Sequence, residues 1–263
     1  MIKYLRAISV YFALLFGIIT SYIRIKINNI YYKYFLSNKI TKDKLKKLNI
    51  TIFINNMNFY INLLFWIKFK FIGKNINLNK NNYILISNHI SYFDFFINMK
   101  LYKEKIISFE KCYIIGIKIL LKLPIFGYLL KNFNYIPIEV IRDNEIHTYN
   151  KENVKILYND VYKELNNKNS IGILPEGRIN ENPKIMKPIN NGAYNISKKM
   201  NVPIKIIGMK GTENIWKKGE YPTGKGTIYI KIFDDEYIFN NQNEYQKTFR
   251  TLIENYVNNN ENN

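Results

Sequence analysis

Residues 83–94 read YILISNHISYFD. Tyr83–Ser87 is a continuous apolar run, short enough for a strand buried on both faces. Asn88 and His89 break it, and a helix is expected to begin near Ser91. The step is strand, turn, helix, with a histidine in the turn. Working outward, the same alternation recurs. Phe69–Ile72 reads as a short strand and Gly73–Asn82 as a polar connection. Ile106–Phe109 reads as a further strand, and Ile114–Phe133 as mostly helical, interrupted by Pro124 and Gly127. Tyr135–Ile141 reads as a strand, Glu145–Asn166 as a helix and Ser170–Leu174 as a buried strand. Asn191–Met200 reads as a helix, Val202–Gly208 and Gly226–Phe233 as strands, and Asn243–Val257 as a last helix. Alternating helices and short apolar strands define an α/β fold with a mainly parallel sheet flanked by helices.

The chain has 263 residues, enough for one domain with an appendage. Hydrophobic residues make up 47% and mean hydropathy is −0.22, which excludes both a disordered chain and a polytopic membrane bundle. One cysteine, Cys112, excludes an internal disulfide framework, and two histidines exclude most His-rich metal sites. No metal site is expected. A net charge of +19 points to anionic partners, a membrane surface or phosphorylated molecules among them. Only five of the cations are arginine, and asparagine occurs about forty times. A composition rich in Lys, Asn, Ile and Tyr also reflects AT-biased codons, so an arginine inside a motif carries more weight than the lysine total.

Residues 1–67 are set apart as an N-terminal membrane anchor with interfacial helices, 68–257 as the α/β domain and 258–263 as a disordered tail. Ala7–Ile23 holds 17 residues without a charge, barely enough to span about 30 Å of hydrocarbon. It reads as a signal anchor or a shallow membrane helix, and otherwise as a buried N-terminal helix. Ile50–Ile67 is apolar but carries Asn55, Asn56, Asn58 and Asn62, which suits an interfacial helix or one packed in the fold. Trp66 with Lys68 and Lys70 suits a membrane–water boundary.

Catalytic groups in open α/β sheets collect at the carboxyl ends of strands. Two such ends stand out. After Ser87, His89 sits in the turn and Asp94 in the first turn of the following helix. Asp94 can accept the imidazole Nδ1–H, fix the tautomer and leave Nε2 as a base. That is the His–Asp half of a triad whose nucleophile the substrate supplies. The second end is Leu174-Pro175-Glu176-Gly177-Arg178. Gly177 permits positive φ or close backbone approach. Arg178 offers a planar donor fork suited to phosphate. Glu176 can bond substrate hydroxyls or hold Arg178.

Together these segments resemble the glycerolipid acyltransferase family, typified by the 1-acylglycerol-3-phosphate acyltransferases. Asn88-His89-x4-Asp94 is similar to the family's first motif, NHxxxxD, and the segment 174–178 to its third, FPEGTR. Val202-Pro203-Ile204 is similar to the fourth, and Leu121–Tyr128 to the segment preceding the second. The resemblance covers Phe69 to Phe233. It departs from the family in two places. Arg142 arrives two residues later than the arginine of the second motif, and the threonine of EGTR is absent. Glu176-Gly177-Arg178-x-Asn180 looks like the variant found in tafazzin-like members.

The resemblance implies an O-acyltransferase. His89 deprotonates the free hydroxyl of a lysophospholipid, that oxygen attacks the thioester of acyl-CoA, and Asp94 orients His89. Asn88, Glu176, Gly177, Arg178, Arg142 and Pro203 are the implied substrate-binding residues. Acyl-CoA is a co-substrate and no cofactor is needed. The expected acceptor is 1-acylglycerol-3-phosphate, giving phosphatidic acid; the alternative is a remodelling enzyme acting on lysophosphatidylcholine or a lysocardiolipin-like acceptor. The implied location is a membrane, the endoplasmic reticulum in the first place and a plastid or mitochondrial membrane otherwise. A basic non-enzymatic binding protein is the rival class, but no RNA-recognition signature supports a nucleic-acid partner. Residues 219–226 nearly match a phosphate-binding loop, yet end in Gly226 and lead into a strand.

Overall fold

In the computed structural model, residues 1–36, 39–73, 82–108, 110–143, 146–148 and 151–259 are described, with side chains omitted at 141–143, 146–148 and 151. Seven strands form one sheet. In chain order they are β1 (Ile67–Ile72), β2 (Ile84–Ser87), β3 (Cys112–Ile117), β4 (Tyr135–Ile138), then β7 (Ser170–Ile173), β8 (Ile204–Lys210) and β9 (Gly226–Ile232). Between β4 and β7, β5 (Ile141–Asp143) and β6 (Ile146–Thr148) pair separately as an antiparallel hairpin. The spatial order is β1-β9-β8-β2-β7-β3-β4, and every pairing is parallel except β8 with β9.

Helices cover both faces, and strand alternation decides which residue goes where. Leu85 points into a core shared with α2 (Lys42–Asn62) and α3 (Asp94–Lys103). Its neighbours Ile84 and Ile86 point the other way, into a core shared with α5 (Lys151–Asn166), α6 (Gly192–Met200) and α7 (Gln242–Asn258). Local chemistry fixes the helix ends. Asn241 caps α7 by accepting from the Glu244 amide at 2.9 Å, and Glu244 reaches back to the amide of Asn240, the residue before the cap, at 3.0 Å. Asn201 ends α6 in the left-handed conformation, φ 49°.

Two sequence expectations need correction. No strand forms over residues 106–108: Ile106 and Ile107 lie in bends, while position 109 lies outside the described residues. The strand is instead Cys112–Ile117, at the head of the segment expected to be helical. A short apolar run does not announce its own conformation; pairing with both β4 and β7 decides it. The helical part is then a 3₁₀ turn at Lys118–Lys122 and α4 (Pro124–Lys131), which has Pro124 in its first turn. The expected polar connection lies outside the described residues over 74–81, as does the tail over 260–263.

α1 (Ile2–Tyr31) continues into a π-helical turn, and Ile2–Leu36 is long and apolar enough to cross a membrane, its most apolar 18-residue stretch having a mean hydropathy of 1.8. Its small-residue stripe Ala7, Ala13, Gly17 and Ser21 is buried. Gly17 lets α2 approach, since a Cβ there would meet Met57 Sδ at 2.7 Å. The asparagines of α2 are inter-element hydrogen-bonding groups. Asn56 accepts from Arg24 at 2.6 Å, and Asn49 bonds both Asn28 and Asn29. Asn58 donates to Met99 O of α3, and Asn62 accepts from Lys100. α2 is therefore packed between α1 and α3, which accounts for its polar interruptions.

Candidate active site

β2 and β7 are parallel neighbours, so their carboxyl ends lie side by side. That brings the turn after Ser87 against the turn after Ile173. Asp94, the first residue of α3, is buried and turns back toward the loop it follows. Its Oδ2 lies 2.9 Å from His89 Nδ1 and also accepts from the Ile90 and Ser91 amides at 2.8 and 3.0 Å. With two backbone N–H groups on that oxygen, it acts as an acceptor, so Nδ1 carries the proton and Nε2 the lone pair. The imidazole is about one-fifth exposed, against 4% for the Asp94 side chain.

The second turn holds the histidine's backbone from both sides. Glu176 Oε1 accepts from the His89 amide at 2.9 Å, and the Asn180 amide donates to the His89 carbonyl. Burial pushes the Glu176 carboxyl above the usual range, opposed by the His89 and Lys187 amides and by the nearby imidazole. Gly177 has φ 65°, a left-handed conformation that suits glycine and lets the chain reverse directly after the strand. Burial also raises Glu213, with Asp94 nearby adding to the effect.

A third segment closes the site. Ser91 Oγ accepts from the Phe93 amide at 2.9 Å and donates to Trp216 O at 2.6 Å. The Trp216 ring packs against Tyr92 and against Tyr11 of α1, each with centroids 5.5 Å apart. The stretch around residues 212–225 is thus a wall of the site. Its backbone is closely folded, for Gly224 donates to Ile215 O and a Cβ on Gly224 would strike Asn214 O.

His89 opens onto a cavity of about 1310 Å³. Arg178, Lys187 and Lys218 give it cationic walls. Apolar side chains such as Leu14 and Ile18 of α1, Leu101, Leu123 and Phe126 line much of the rest. Lys187 Nζ rests on Ile179 O at 2.9 Å, and Lys218 pairs with Glu181. Gly116 and Tyr135 also line it, with the Tyr135 hydroxyl donating to Ile117 O at 2.8 Å.

The remaining expected residues fall as follows. Asn88 is fully buried, and its amide donates to Met209 O and accepts from Met209 N, both at 2.8 Å. It extends the β2–β8 pairing by one side chain and has no surface left for a substrate, a correction to the expected contact. Pro203 is also corrected. Its carbonyl accepts from the Ile84 amide at the amino end of β2, about 13 Å of strand away from the turn that holds His89. Arg142 sits in β5 opposite His147, but its side chain lies outside the described ones. Cys112 is buried, and burial pushes its thiol up to about 12, which suits a packed side chain. Ser91, Trp216 and Lys187 were not singled out from sequence. Trp216, one of only two tryptophans, was the available signal.

A mainly parallel α/β sheet with a His–Asp pair at a strand's carboxyl end, open to a large apolar cavity, suits an enzyme acting on a lipid-like substrate. The sequence model of the family described as Acyltransferase matches residues 68–210, more than half of the chain, and the chain belongs to that family. The crystal structure of the 1-acyl-sn-glycerophosphate (LPA) acyltransferase PlsC from Thermotoga maritima shares the fold, with a TM-score of 0.72 and 15% sequence identity over 99% of this chain and 98% of that one. No curated protein matched in a sequence search. The expected glycerolipid acyltransferase family and the expected fold class both stand.

Proposed function

We propose that this acyltransferase moves an acyl chain from acyl-CoA to the free hydroxyl of 1-acylglycerol-3-phosphate, giving phosphatidic acid. The observation that carries the reading is the His89–Asp94 pair lining a large, mostly apolar cavity that Arg178 also lines.

The chemistry follows from the geometry. Nε2 of His89 takes the proton of the acceptor hydroxyl while that oxygen bonds to the thioester carbonyl carbon. The C–S bond then breaks, and the imidazolium returns its proton to the departing thiolate. Asp94 holds the imidazole and offsets its positive charge during the interval. General-base help of this kind is worth roughly 10²–10⁴-fold. Arg178, with Lys187 as a second cation, faces the acceptor phosphate. The apolar walls receive the acyl chains. Glu176 acts on the backbone of His89 and so positions it.

The substrates reside in a bilayer, and α1 fits that supply. Leu5, Ile8, Phe12, Leu15 and Phe16 are exposed on it, while Leu14 and Ile18 face the cavity. A helix with one apolar side outward and another lining the site supports a cavity that is filled from a membrane surface. Transfer of labelled acyl groups from acyl-CoA to a panel of lysophospholipids tests the reading. 1-Acylglycerol-3-phosphate is the expected best acceptor. Preference for lysophosphatidylcholine or a lysocardiolipin would assign a remodelling role instead.

A further inference from the structure

β8, β9 and β1 close one edge of the sheet, and one row crosses all three strands in register. Lys210 lies opposite Tyr229, and Tyr229 opposite Lys70. Both ammonium groups lie over the Tyr229 ring, 5.5 and 5.9 Å from its centroid. Lys210 and Lys231 also lie over Tyr256 of α7, at 5.0 and 5.8 Å. Lys68 is exposed two residues before Lys70, and so on the same face of β1. Four cations therefore share one face of the sheet edge. Among the described residues, Lys68, Lys210 and Lys231 make no ion pair with a carboxylate. The opposite face of the same two outer strands is packed, with Ile67, Ile228 and Ile230 in the core.

The place of this row gives it meaning. β8 runs parallel to β2, so Lys210, its last residue, lies at the end of the sheet where His89 sits. β9 is antiparallel to β8 and β1 parallel to β9, so the amino end of β1 lies at that same end. Lys68 and Lys70 are then within about 10 Å of it. Just ahead of β1, Leu63 and Phe65 project at 55% and 80% exposure. Apolar side chains at the rim with ammonium groups close behind match a bilayer surface. The former enter the acyl layer and the latter rest among phosphates. A nucleic acid would meet the same charge but gain nothing from the apolar rim, and Tyr229 is clasped between lysines instead of open for stacking.

We infer that the face formed by Lys68, Lys70, Tyr229 and Lys210 is a docking surface for the anionic phospholipid headgroups of a membrane. It holds the catalytic end of the sheet against the bilayer, in addition to α1 and independently of the acyl-transfer chemistry.

The test uses the full chain, diluted from detergent into vesicles of phosphatidylcholine alone or of phosphatidylcholine with phosphatidylserine. Partition is read by flotation at low lipid concentration. The wild type should prefer the anionic vesicles, and salt should erode the preference. Lys68→Gln/Lys70→Gln/Lys210→Gln should lose it, on the order of 10²-fold at about fivefold per lysine, with partition onto neutral vesicles unchanged. A thermal unfolding curve matching the wild type shows that the variant is folded. As a second readout, Lys70→Cys takes an environment-sensitive fluorophore, since Cys112 is buried. Its emission should shift on anionic vesicles only. A wild type without anionic preference would overturn the inference, as would a triple variant that keeps it or loses binding to both vesicles alike. Loss of single-stranded oligonucleotide binding with vesicle binding intact would assign the face to nucleic acid instead.

Discussion

Glu176 and His89 stand 87 residues apart in the chain and meet through one hydrogen bond of 2.9 Å, from the histidine's backbone amide to the carboxylate. This bond joins the two strand-end motifs, and it needs only an acceptor, not a charge. Burial raises the Glu176 carboxyl above its ordinary value of 4.5, so the folded state binds that proton more tightly than the unfolded chain. Stability from this group is therefore full below the ordinary value and is lost as pH rises through the raised one. Glu176→Gln keeps an acceptor and removes the ionisation. Its melting temperature relative to wild type should rise as pH increases from below the ordinary carboxylate value of 4.5. Parallel melting curves across that range would contradict the account.

Asn88 is a strand extension, and its loss should be felt as stability. Asn88→Ala strips partners from both the Met209 amide and carbonyl, each worth about 1–3 kcal/mol when buried. Thermal or denaturant unfolding should show a loss of roughly 2–6 kcal/mol. An unfolding curve matching wild type, with only the Michaelis constant changed, would restore the substrate contact first expected of it.

Gly116 and Tyr135 set a wall of the cavity. A Cβ on Gly116 would meet the Tyr135 hydroxyl at 2.5 Å and its ring at 2.6–2.8 Å, so Gly116→Ala forces that side chain aside, and Tyr135→Ala opens the space it fills. Across a ladder of saturated acyl-CoAs, Tyr135→Ala should shift the optimum of kcat/KM to longer chains, and Gly116→Ala should shift it in the opposite direction or lower it throughout. An unmoved optimum in both variants would place the acyl chain elsewhere.

Arg178→Ala should raise KM for 1-acylglycerol-3-phosphate about 10- to 100-fold, the value of a lost charge-assisted hydrogen bond, with KM for acyl-CoA unchanged. If the acyl-CoA value rises in its place, Arg178 serves the donor and not the acceptor.

Much of this was legible in the sequence because the decisive signals are local. Tyr83–Ser87 and Ser170–Leu174 read as buried strands, and both are in the sheet. His89 and Asp94 lie close in sequence, so their meeting needed only a turn. What failed was non-local. Cys112–Ile117 is a strand because β4 and β7 flank it, and nothing within the segment says so. Pro203 was grouped with the site by motif order, although strand direction puts it at the opposite end of β2. Asn88 was expected to face substrate, and only the register with β8 shows where its amide goes. The Ser91–Trp216 contact spans 125 residues and joins two loops, which no periodicity reports.

The central claim is that His89 Nε2 is the base for acyl transfer. The most direct measurement is the turnover of wild type and His89→Ala with labelled acyl-CoA and 1-acylglycerol-3-phosphate in the same detergent micelles, with the fold checked by thermal unfolding. The account predicts product from the wild type and a fall of about 10²–10⁴-fold in kcat for His89→Ala, with melting temperature little changed. A folded His89→Ala variant that turns over at the wild-type rate would contradict it.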